Sequence, residues 1–266
     1  MFASRFAFQS PQQSTSGNAR RAGTASTNAS LTWLNEFNVT TSTTQYKFGT
    51  ASERLAVDSF ARSRINSAST TIGDWGTTDF TIECYIWLDS RSNHSKSSDA
   101  HSHDTDYGFA FRLAESFDAN TTNTITDKLS IFARNRADLD YWTLPTNWPT
   151  GQWNFVVIQR KSGSFAAWVN GTVLPKSNAS SNYDFGTGSG SIRIGTADSG
   201  GQGLGSISGS DYVYIDEFCM SNTYRYDNPN ADIPVPTAPF TVDSYTVQLM
   251  HMDGTNGGIT FTNATS

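Results

Sequence analysis

Short runs of alternating apolar and polar residues follow one another from about Leu31 onward, and this pattern predicts β-strands. The clearest run extends from Asp79 to Asp89 and reads DFTIECYIWLD. Its alternation places two sets of side chains on opposite faces: Phe80, Ile82, Cys84, Ile86 and Leu88 on one, and Thr81, Glu83, Tyr85 and Trp87 on the other. Because both faces are largely apolar near the end of the run, we predict a central strand with a core behind it and aromatic cover in front.

Two turn signals divide the segment from Gln152 to Pro175 into a predicted meander. A glycine-containing turn at residues 161–164 ends the first strand, and the pair Asn170-Gly171 ends the second. Asn-Gly is the strongest short hairpin signal in the chain, since both central positions of a type I′ turn need positive φ angles.

Glycine and proline each concentrate in one later region. Nine of the 21 glycines fall between Gly186 and Gly209, around a predicted strand that reads SIRIG. Four of the eight prolines fall between Pro229 and Pro239, which predicts an extended crossing segment before a further alternating strand, SYTVQLMHMDG. We find no amphipathic helix of useful length, so the pattern predicts an all-β fold.

The charge distribution divides the chain near residue 30. Residues 1–30 carry Arg5, Arg20 and Arg21 and no acid, which leaves about −9 on the remainder when this +3 is subtracted from the net −6. We therefore expect a flexible N-terminal arm at residues 1–30 and one sandwich domain at residues 31–266. The acidic domain argues against a nucleic-acid partner.

The first residues of this arm are unusual for a simple linker. Phe2, Phe6 and Phe8 interleave with Arg5, so the segment has the residues to dock on a neighbouring protein. A mobile tail that binds nothing is the equally open alternative.

Cysteine use and hydropathy argue against a disulfide-stabilised protein and against a membrane-spanning or exported one. Cys84 and Cys219 are the only cysteines and lie among apolar residues, so we favour buried free thiols over a disulfide. No run approaches the roughly 18 apolar residues of a membrane span, and the N-terminus lacks the apolar core of a signal peptide.

Four stretches in order resemble the concanavalin A-like, laminin-G-like domains often seen in phage and environmental viral proteins. They are YKFGTAS, GDWGTTDFTIECYIWL, GQWNFVVIQRKSGSFAAWVNGTVL and the segment that begins YVYIDEFCMSNTYRYD. The resemblance implies a jelly roll of two antiparallel sheets. Such domains usually open with a strand that here closes the chain at residues 246–263, so we expect that strand to return to its own sheet, with exchange between subunits as the alternative.

The resemblance to viral domains implies a non-enzymatic virion structural protein. Such a protein would be a capsid decoration, fibre or tail adhesion module on the virion surface. We expect a homo-oligomer that binds other virion proteins through Phe2, Arg5, Phe6 and Phe8 of the arm, and host-surface glycans are a further candidate partner. A cellular carbohydrate-binding lectin is the first alternative, and a glycoside hydrolase is the second.

The paired acids Asp216 and Glu217 bear on the hydrolase alternative. Hydrolases of the fold, those resembling laminarinases, carry an E-x-D-x-x-E strand whose acids share one face, because retaining hydrolysis needs two carboxyls about 5 Å apart. Simple alternation here puts Tyr214, Asp216 and Phe218 on that face and Glu217 on the opposite one. We therefore expect no enzyme, and a structural Asp216 that bonds nearby loop backbone.

Two groups of residues suggest metal sites. His101 and His103 would share one face of an extended chain within the polar insertion at residues 89–106, which suggests a transition metal, although we favour a solvated loop there. Asp184 and Asp198 lie in the glycine-rich loops, where domains of this kind often hold calcium. Neither group matches a diagnostic ligand spacing, so we expect no cofactor, with calcium as the ion to test.

A sugar site would need exposed aromatic rings beside polar groups. Tyr141, Trp142 and Trp148 in the segment DLDYWTLPTNWPTG are the candidates for such a platform. The alternative is that these rings pack against the sandwich, which is the commoner role of aromatic side chains.

Overall fold

The computed structural model describes residues 18–24, 32–37, 39–56, 62–66, 76–88, 98–103, 109–118, 124–133, 140–143, 151–175, 192–195 and 212–259. Every regular element within these ranges is a β-strand, which confirms the predicted all-β class. The strands are β1 Thr32–Phe37, β2 Val39–Ser42, β3 Ser52–Ala56, β4 Arg62–Asn66, β5 Phe80–Leu88, β6 Ser98–His103, β7 Phe109–Asp118, β8 Thr124–Ala133, β9 Asp140–Thr143, β10 Trp153–Lys161, β11 Ser164–Val169, β12 Thr172–Val173, β13 Ile192–Gly195, β14 Tyr212–Ser221 and β15 Thr246–Met250. No helix that could span a membrane occurs in this described part of the chain.

The strands form two antiparallel sheets, as in a concanavalin A-like sandwich. The first sheet has the order β1-β4-β13-β6-β7-β8-β9. The second has the order β12-β11-β10-β5-β14-β3-β2, with β15 also paired to β14. The expected jelly roll of two sheets is therefore confirmed.

Strand β5 is the centre of the second sheet, and its residues 80–86 are buried on both faces, as the sequence predicted. It lies between β10 and β14. Phe80, Ile82 and Cys84 are fully buried on one face, and Glu83 and Tyr85 are buried on the other. A strand that is buried on both faces must have other residues packed over each face. The residues that pack over Glu83 and Tyr85 form the candidate site described below.

The predicted meander is present and both of its turns have the expected backbone. Ser162 and Gly163 have φ angles of 49° and 81°, and Asn170 and Gly171 have φ angles of 50° and 83°. Positive φ at both central residues is the signature of type I′ turns, whose twist matches that of the joined strands. The Asn-Gly signal therefore located the β11–β12 turn correctly.

The last strand pairs within its own chain. One edge of β14 is shared by two strands, because β3 pairs with residues 212–215 and β15 with residues 218–221. Residues beyond β15 then bond to β2, with Gly257 N donating to Thr41 O at 2.8 Å and Thr41 N donating to Gly258 O at 2.9 Å. The intramolecular return of the C-terminal strand is thus the arrangement found.

One expectation about the polar insertion was wrong. The interpretation of residues 89–106 as a loop does not hold for Ser98–His103, which form β6 between β7 and β13. The interstrand backbone bonds of a sheet are independent of side-chain polarity, so a run without apolar alternation can still be a strand.

Candidate functional site

We call the face of the second sheet that carries Glu83, Tyr85 and Asp216 the covered face. Residues paired directly across antiparallel strands share a face, and these three pair with Val157, Phe155 and Tyr85 in neighbouring strands. The proline-rich segment at residues 228–243 crosses this face, and Ile233 and Phe240 from it pack into a buried cluster with Tyr85, Phe155, Trp168 and Leu249. The extended crossing segment predicted from its prolines therefore acts as a second layer over the sheet.

A buried ion pair lies beneath this layer. Arg20 Nε and Nη2 donate to both oxygens of Glu83 at distances of 2.8–3.1 Å, and Glu83 is fully buried. Tyr226 Oη donates to the same carboxylate at 2.7 Å. Burial opposes the charge on Arg20, but the Glu83 carboxylate outweighs that cost and raises the pKa of the guanidinium above its ordinary value.

Arg20 belongs to residues 18–24, which we call the strap because they lie along the covered face. Asn18 Nδ2 donates to the carbonyl of Asn228 at 2.6 Å, and Gly23 N donates to Asp243 Oδ2 at 2.9 Å. Arg21 N also donates to Arg225 O at 2.7 Å. The expectation that the N-terminal arm takes no part in the sandwich was therefore wrong for these residues.

The rest of the arm stays a prediction. Phe2, Arg5, Phe6 and Phe8 lie outside the described residues, so the proposed partner-docking role of residues 1–17 and the boundary at residue 30 are untested.

A second ion pair holds the end of the proline-rich segment at Asp243. The Arg225 guanidinium binds both oxygens of Asp243, with Nη1 to Oδ2 at 2.6 Å and Nη2 to Oδ1 at 2.7 Å. Burial by itself would raise the pKa of Asp243, but this contact holds it well below its usual range. The strap and the proline-rich segment are thus joined to each other and to the sheet by charged side chains.

Asp216 bonds loop backbone, as expected for a structural residue. Its Oδ2 accepts hydrogen bonds from Lys47 N at 2.7 Å and Phe48 N at 3.1 Å, and its Oδ1 accepts one from Glu217 N at 2.8 Å. Burial and the neighbouring Glu217 charge raise the pKa of Asp216 to about 8, although these three bonds act in the opposite direction. The residue therefore anchors the loop after β2 to the centre of the sheet.

Glu217 does not occupy the opposite face, and that part of our sequence argument was wrong. The pairing of β14 with β5 shifts between Asp216 and Cys219, and Glu217 has a φ angle of 52°, which together define a β-bulge. Glu217 Oε2 accepts from Phe240 N at 2.7 Å, so its carboxylate reaches the cover of the same face as Asp216.

His251 contacts the carboxylate of Glu217. Its Nδ1 lies 2.6 Å from Glu217 Oε1, and its side chain is 23% exposed whereas that of Glu217 is 2% exposed. The hydrogen bond to Glu217 raises the pKa of His251 above its ordinary value, against the opposing effect of burial. The buried carboxylate thus has a partner whose charge depends on pH.

The corrected register still lacks the acids of a hydrolase. Because of the bulge, the residue that follows Asp216 on the covered face is Cys219, which pairs with Glu83, and not Phe218. Tyr214 and Cys219 therefore stand where an E-x-D-x-x-E strand carries its two reacting carboxyls. The acids described on this face, Glu83, Asp216 and Glu217, are buried, so a polysaccharide has no access to them.

The sugar platform predicted from DLDYWTLPTNWPTG is not supported at its central residue. Trp142 lies in β9 and is 1% exposed, so its ring takes the packing role that we named as the alternative. Nothing is described for the side chain of Tyr141, and Trp148 lies outside the described residues.

The metal candidates remain predictions. His101 and His103 lie in β6, where only the backbone is described, and Asp184 and Asp198 lie outside the described residues. Among the residues that were described, no group of three or more His, Cys, Asp or Glu side chains is placed to hold a metal ion.

Cys84 and Cys219 are free and buried. Cys84 pairs with Val156 and lies on the apolar face, whereas Cys219 pairs with Glu83 on the covered face. Their sulfurs therefore face opposite sides of the sheet, which explains why adjacent strands hold two cysteines without a disulfide.

Three aromatic residues and one arginine that sequence reasoning did not group lie in one row across the covered face. Trp153 pairs with Trp87, Trp87 with Tyr214, and Tyr214 with Arg54, across four neighbouring strands. The signal that could have identified this row is the interstrand register, which no single strand reveals.

Comparison with known proteins agrees with this architecture. The family model of the concanavalin A-like lectin/glucanase superfamily matches residues 62–220, and no curated protein matches the sequence. The binding domain of botulinum neurotoxin serotype D is 13% identical, with a TM-score of 0.51 over 76% of this chain and 47% of that one. The binding domain of Paraclostridial Mosquitocidal Protein 1 is 12% identical, with a TM-score of 0.52 over 80% of this chain and 50% of that one.

A third similar structure is the binding domain of botulinum neurotoxin DC in complex with rat synaptotagmin II, which is 12% identical with a TM-score of 0.52. It matches 76% of this chain and 45% of the toxin chain, so the protein spans about half the length of these structures or less. At such low identity the likeness establishes the fold alone. The family match covers more than half of the sequence, and the chain belongs to the concanavalin A-like lectin/glucanase superfamily.

Proposed function

We propose that the chain is a non-catalytic structural protein of a virion, which displays a lectin-like sandwich as a capsid decoration, fibre or tail adhesion module. The observation that carries the non-catalytic part is the closed covered face. Glu83, Asp216 and Glu217 bind the chain's own Arg20, loop backbone and His251, so the acids of this face are used to hold the cover in place.

The virion setting rests on the resemblance of the sequence stretches to viral domains. In that setting the protein would lie on the capsid or tail surface, where residues 1–17 would bind other virion proteins and the sandwich would face the host. Phe2, Arg5, Phe6 and Phe8 are the residues of that segment suited to such a contact, and a homo-oligomer would present several domains together.

Mass spectrometry and imaging of purified particles test this setting directly. We expect the protein in the particles, and a version without residues 1–17 should fold normally but be missing from them. Absence of the full-length protein from particles would exclude the virion role. Normal incorporation of the shortened protein would exclude the docking role of Phe2, Arg5, Phe6 and Phe8.

A cellular carbohydrate-binding lectin is the second candidate. The partly exposed rings of Trp87 and Trp153 favour it, because such rings are the surfaces on which sugar rings stack. A lectin would bind glycans without any particle, so a protein that is absent from virions but binds a glycan would support this candidate. A hydrolase would instead be revealed by product release in a polysaccharide screen.

A further inference from the structure

The strap contacts the covered face as a separate peptide would. Its described hydrogen bonds join residues 18–24 to Glu83 and to the segment 219–245, over sequence separations of 63 to 220 residues. We call this surface, Glu83 with residues 219–245, the strap groove. Because these contacts are all distant in sequence, they do not by themselves tie a strap to the groove of its own chain.

Hydrogen bonds to the groove backbone hold both ends of the strap. At the first end, Asn18 Oδ1 accepts from Asn228 N at 2.8 Å, and Asn18 Nδ2 donates to Asn228 O at 2.6 Å. At the other end, Ser244 N donates to Thr24 O at 2.7 Å. A side chain at Gly23 would collide with Ser244, so the groove accepts only glycine there without moving.

The two arginines between these ends occupy different surroundings. The guanidinium of Arg20 lies on the buried Glu83 carboxylate, and its carbon is 5.0 Å from the ring centroid of Phe240. The guanidinium of Arg21 lies over the ring of Tyr224 at 4.2 Å and donates to the carbonyl of that residue at 3.2 Å. Arg20 therefore meets a buried charge, whereas Arg21 meets a partly exposed ring.

The strap and the groove also have complementary charges. The strap reads NARRAGT and contains two arginines and no acid. The groove places Glu83 beneath Arg20 and the carboxylate of Asp243 beside the strap backbone, where it accepts from Gly23 N at 2.9 Å. The groove thus selects an extended segment with arginine at its third position and glycine at its sixth, and every copy of the chain carries that segment.

The link between the strap and β1 consists of residues 25–31. A segment of that length reaches at most roughly 25 Å, so a strap can enter the groove of another copy only when the two copies lie against each other. An exchanged strap would make every contact described above, because the groove of the second copy is identical. Protein concentration would then determine how many straps are exchanged.

We propose that the strap groove is a binding site for residues 18–24 of a second copy, so that two copies exchange straps and form a symmetric dimer. Each copy supplies Arg20 to the Glu83 carboxylate of the other. The proposal rests on the proposed function, because it names the contact that joins the chains of the expected homo-oligomer.

The test uses two full-length variants, Arg20→Gln and Glu83→Gln. Each variant alone keeps one buried charge without its partner, so each should melt about 10 °C below wild type. In a mixed dimer with exchanged straps, one groove holds the native arginine and carboxylate and the other holds two neutral glutamines. Both grooves are then satisfied, so mixing should restore the stability that neither variant has alone.

The two variants are unfolded together in urea, refolded at high concentration and analysed by native mass spectrometry, with one of them isotopically labelled. We expect mixed dimers in clear excess over either homodimer, and a melting temperature several degrees above that of each variant refolded alone. Dimers in the statistical ratio would show that the chains associate through another surface. That result, or a mixture that melts as the two separate variants do, would overturn the proposal.

Two controls accompany the mixture. A single chain with both Arg20→Gln and Glu83→Gln should melt close to wild type, which shows that the neutral pair is tolerated. Arg21→Gln is the matched strap variant, because it alters the neighbouring arginine and leaves Arg20 in place. Refolded with Glu83→Gln, it should give no excess of mixed dimers.

Wild-type protein provides a measurement that does not depend on any variant. Refolded at increasing concentration, it should form a growing fraction of dimer in light scattering, and this dimer should melt at the temperature of the monomer because their strap contacts are the same. A chain that stays monomeric at every concentration would overturn the proposal whatever the variants show.

These outcomes are separate from those of the particle experiment. Strap exchange by a protein that is absent from virions would retain this inference and reject the virion role. Incorporation into particles of a chain that forms no mixed dimers would retain the virion role and reject strap exchange.

Discussion

Arg20 and Glu83 are 63 residues apart in sequence, and the guanidinium of the first binds both carboxylate oxygens of the second beneath the cover of the sheet. The side chain of Glu83 is fully buried and that of Arg20 is 19% exposed. A segment outside the regular strands thus supplies the counter-charge for an acid at the centre of the sandwich, and several consequences can be measured.

Arg20→Ala should lower the free energy of unfolding by about 3–5 kcal/mol, because it leaves the Glu83 carboxylate buried without its cation. Urea denaturation followed by fluorescence measures the loss. Arg21→Ala is the control, since Arg21 contacts the partly exposed Tyr224, and it should cost about 1 kcal/mol or less. A double variant, Arg20→Met with Glu83→Leu, should recover part of the loss.

Truncation should separate the strap from the residues before it. Removal of residues 1–17 should leave the melting temperature unchanged, whereas removal of residues 1–24 should lower it by several degrees, because it deletes Arg20. Differential scanning calorimetry compares the two. Equal melting temperatures for both truncations would show that the strap does not stabilise the domain.

Cys219 should report on the strap. Arg20 Nη2 lies 3.7 Å from Cys219 Sγ, whereas Cys84 is buried on the opposite face. Burial raises the pKa of the Cys219 thiol to about 12, so alkylation of the intact protein should be slow. Removal of residues 1–24 should make one thiol per chain reactive, and Cys219→Ser should abolish that reactivity. A reactive thiol that persists in the Cys219→Ser protein would identify Cys84 instead.

Stability should fall as pH rises through the titration of His251. The pKa of His251 is raised in the folded protein, so the folded state binds its proton more tightly than the unfolded state does. The resulting stabilisation is complete below the ordinary value of 6.5 and is lost as pH rises through the folded pKa. Asp216, with a pKa of about 8, acts in the same direction.

His251→Gln should therefore reduce the loss of stability between pH 6 and pH 9 without abolishing it, because the contribution of Asp216 remains. Denaturation midpoints across this range provide the measurement. An identical pH profile for wild type and His251→Gln would exclude a role for the Glu217–His251 contact.

Asp216→Asn should cost about 1–3 kcal/mol at neutral pH, because it leaves a buried donor without an acceptor, and it should remove no catalytic activity. An asparagine can accept from Lys47 N and Phe48 N, but its amide nitrogen would then face the donor Glu217 N. Thermal unfolding measures the cost, and a polysaccharide hydrolase screen tests the activity. Hydrolysis that disappeared in the variant would contradict the structural assignment.

Period-two alternation was enough to predict β5, β10, β11 and β15 of the second sheet and the burial of residues 80–86 of β5 on both faces, since the alternation of side chains along a strand is a local property. Asn170-Gly171 located a turn for the same local reason, because few residue pairs accept two positive φ angles. Proline spacing predicted the extended segment, although not which face it would cross.

The features that only the tertiary structure determined depend on pairing between strands that are distant in sequence. The bulge at Glu217 arises from the register of β14 on β5, and it moves that carboxylate to the side that simple alternation excludes. β6 forms from a polar run because its neighbours complete its backbone hydrogen bonds, and Trp87, Trp153, Tyr214 and Arg54 become one row only when four strands align. Arg20 meets Glu83 for the same reason: burying a charge requires a partner, and the folded chain, not the local sequence, determines which residue it is.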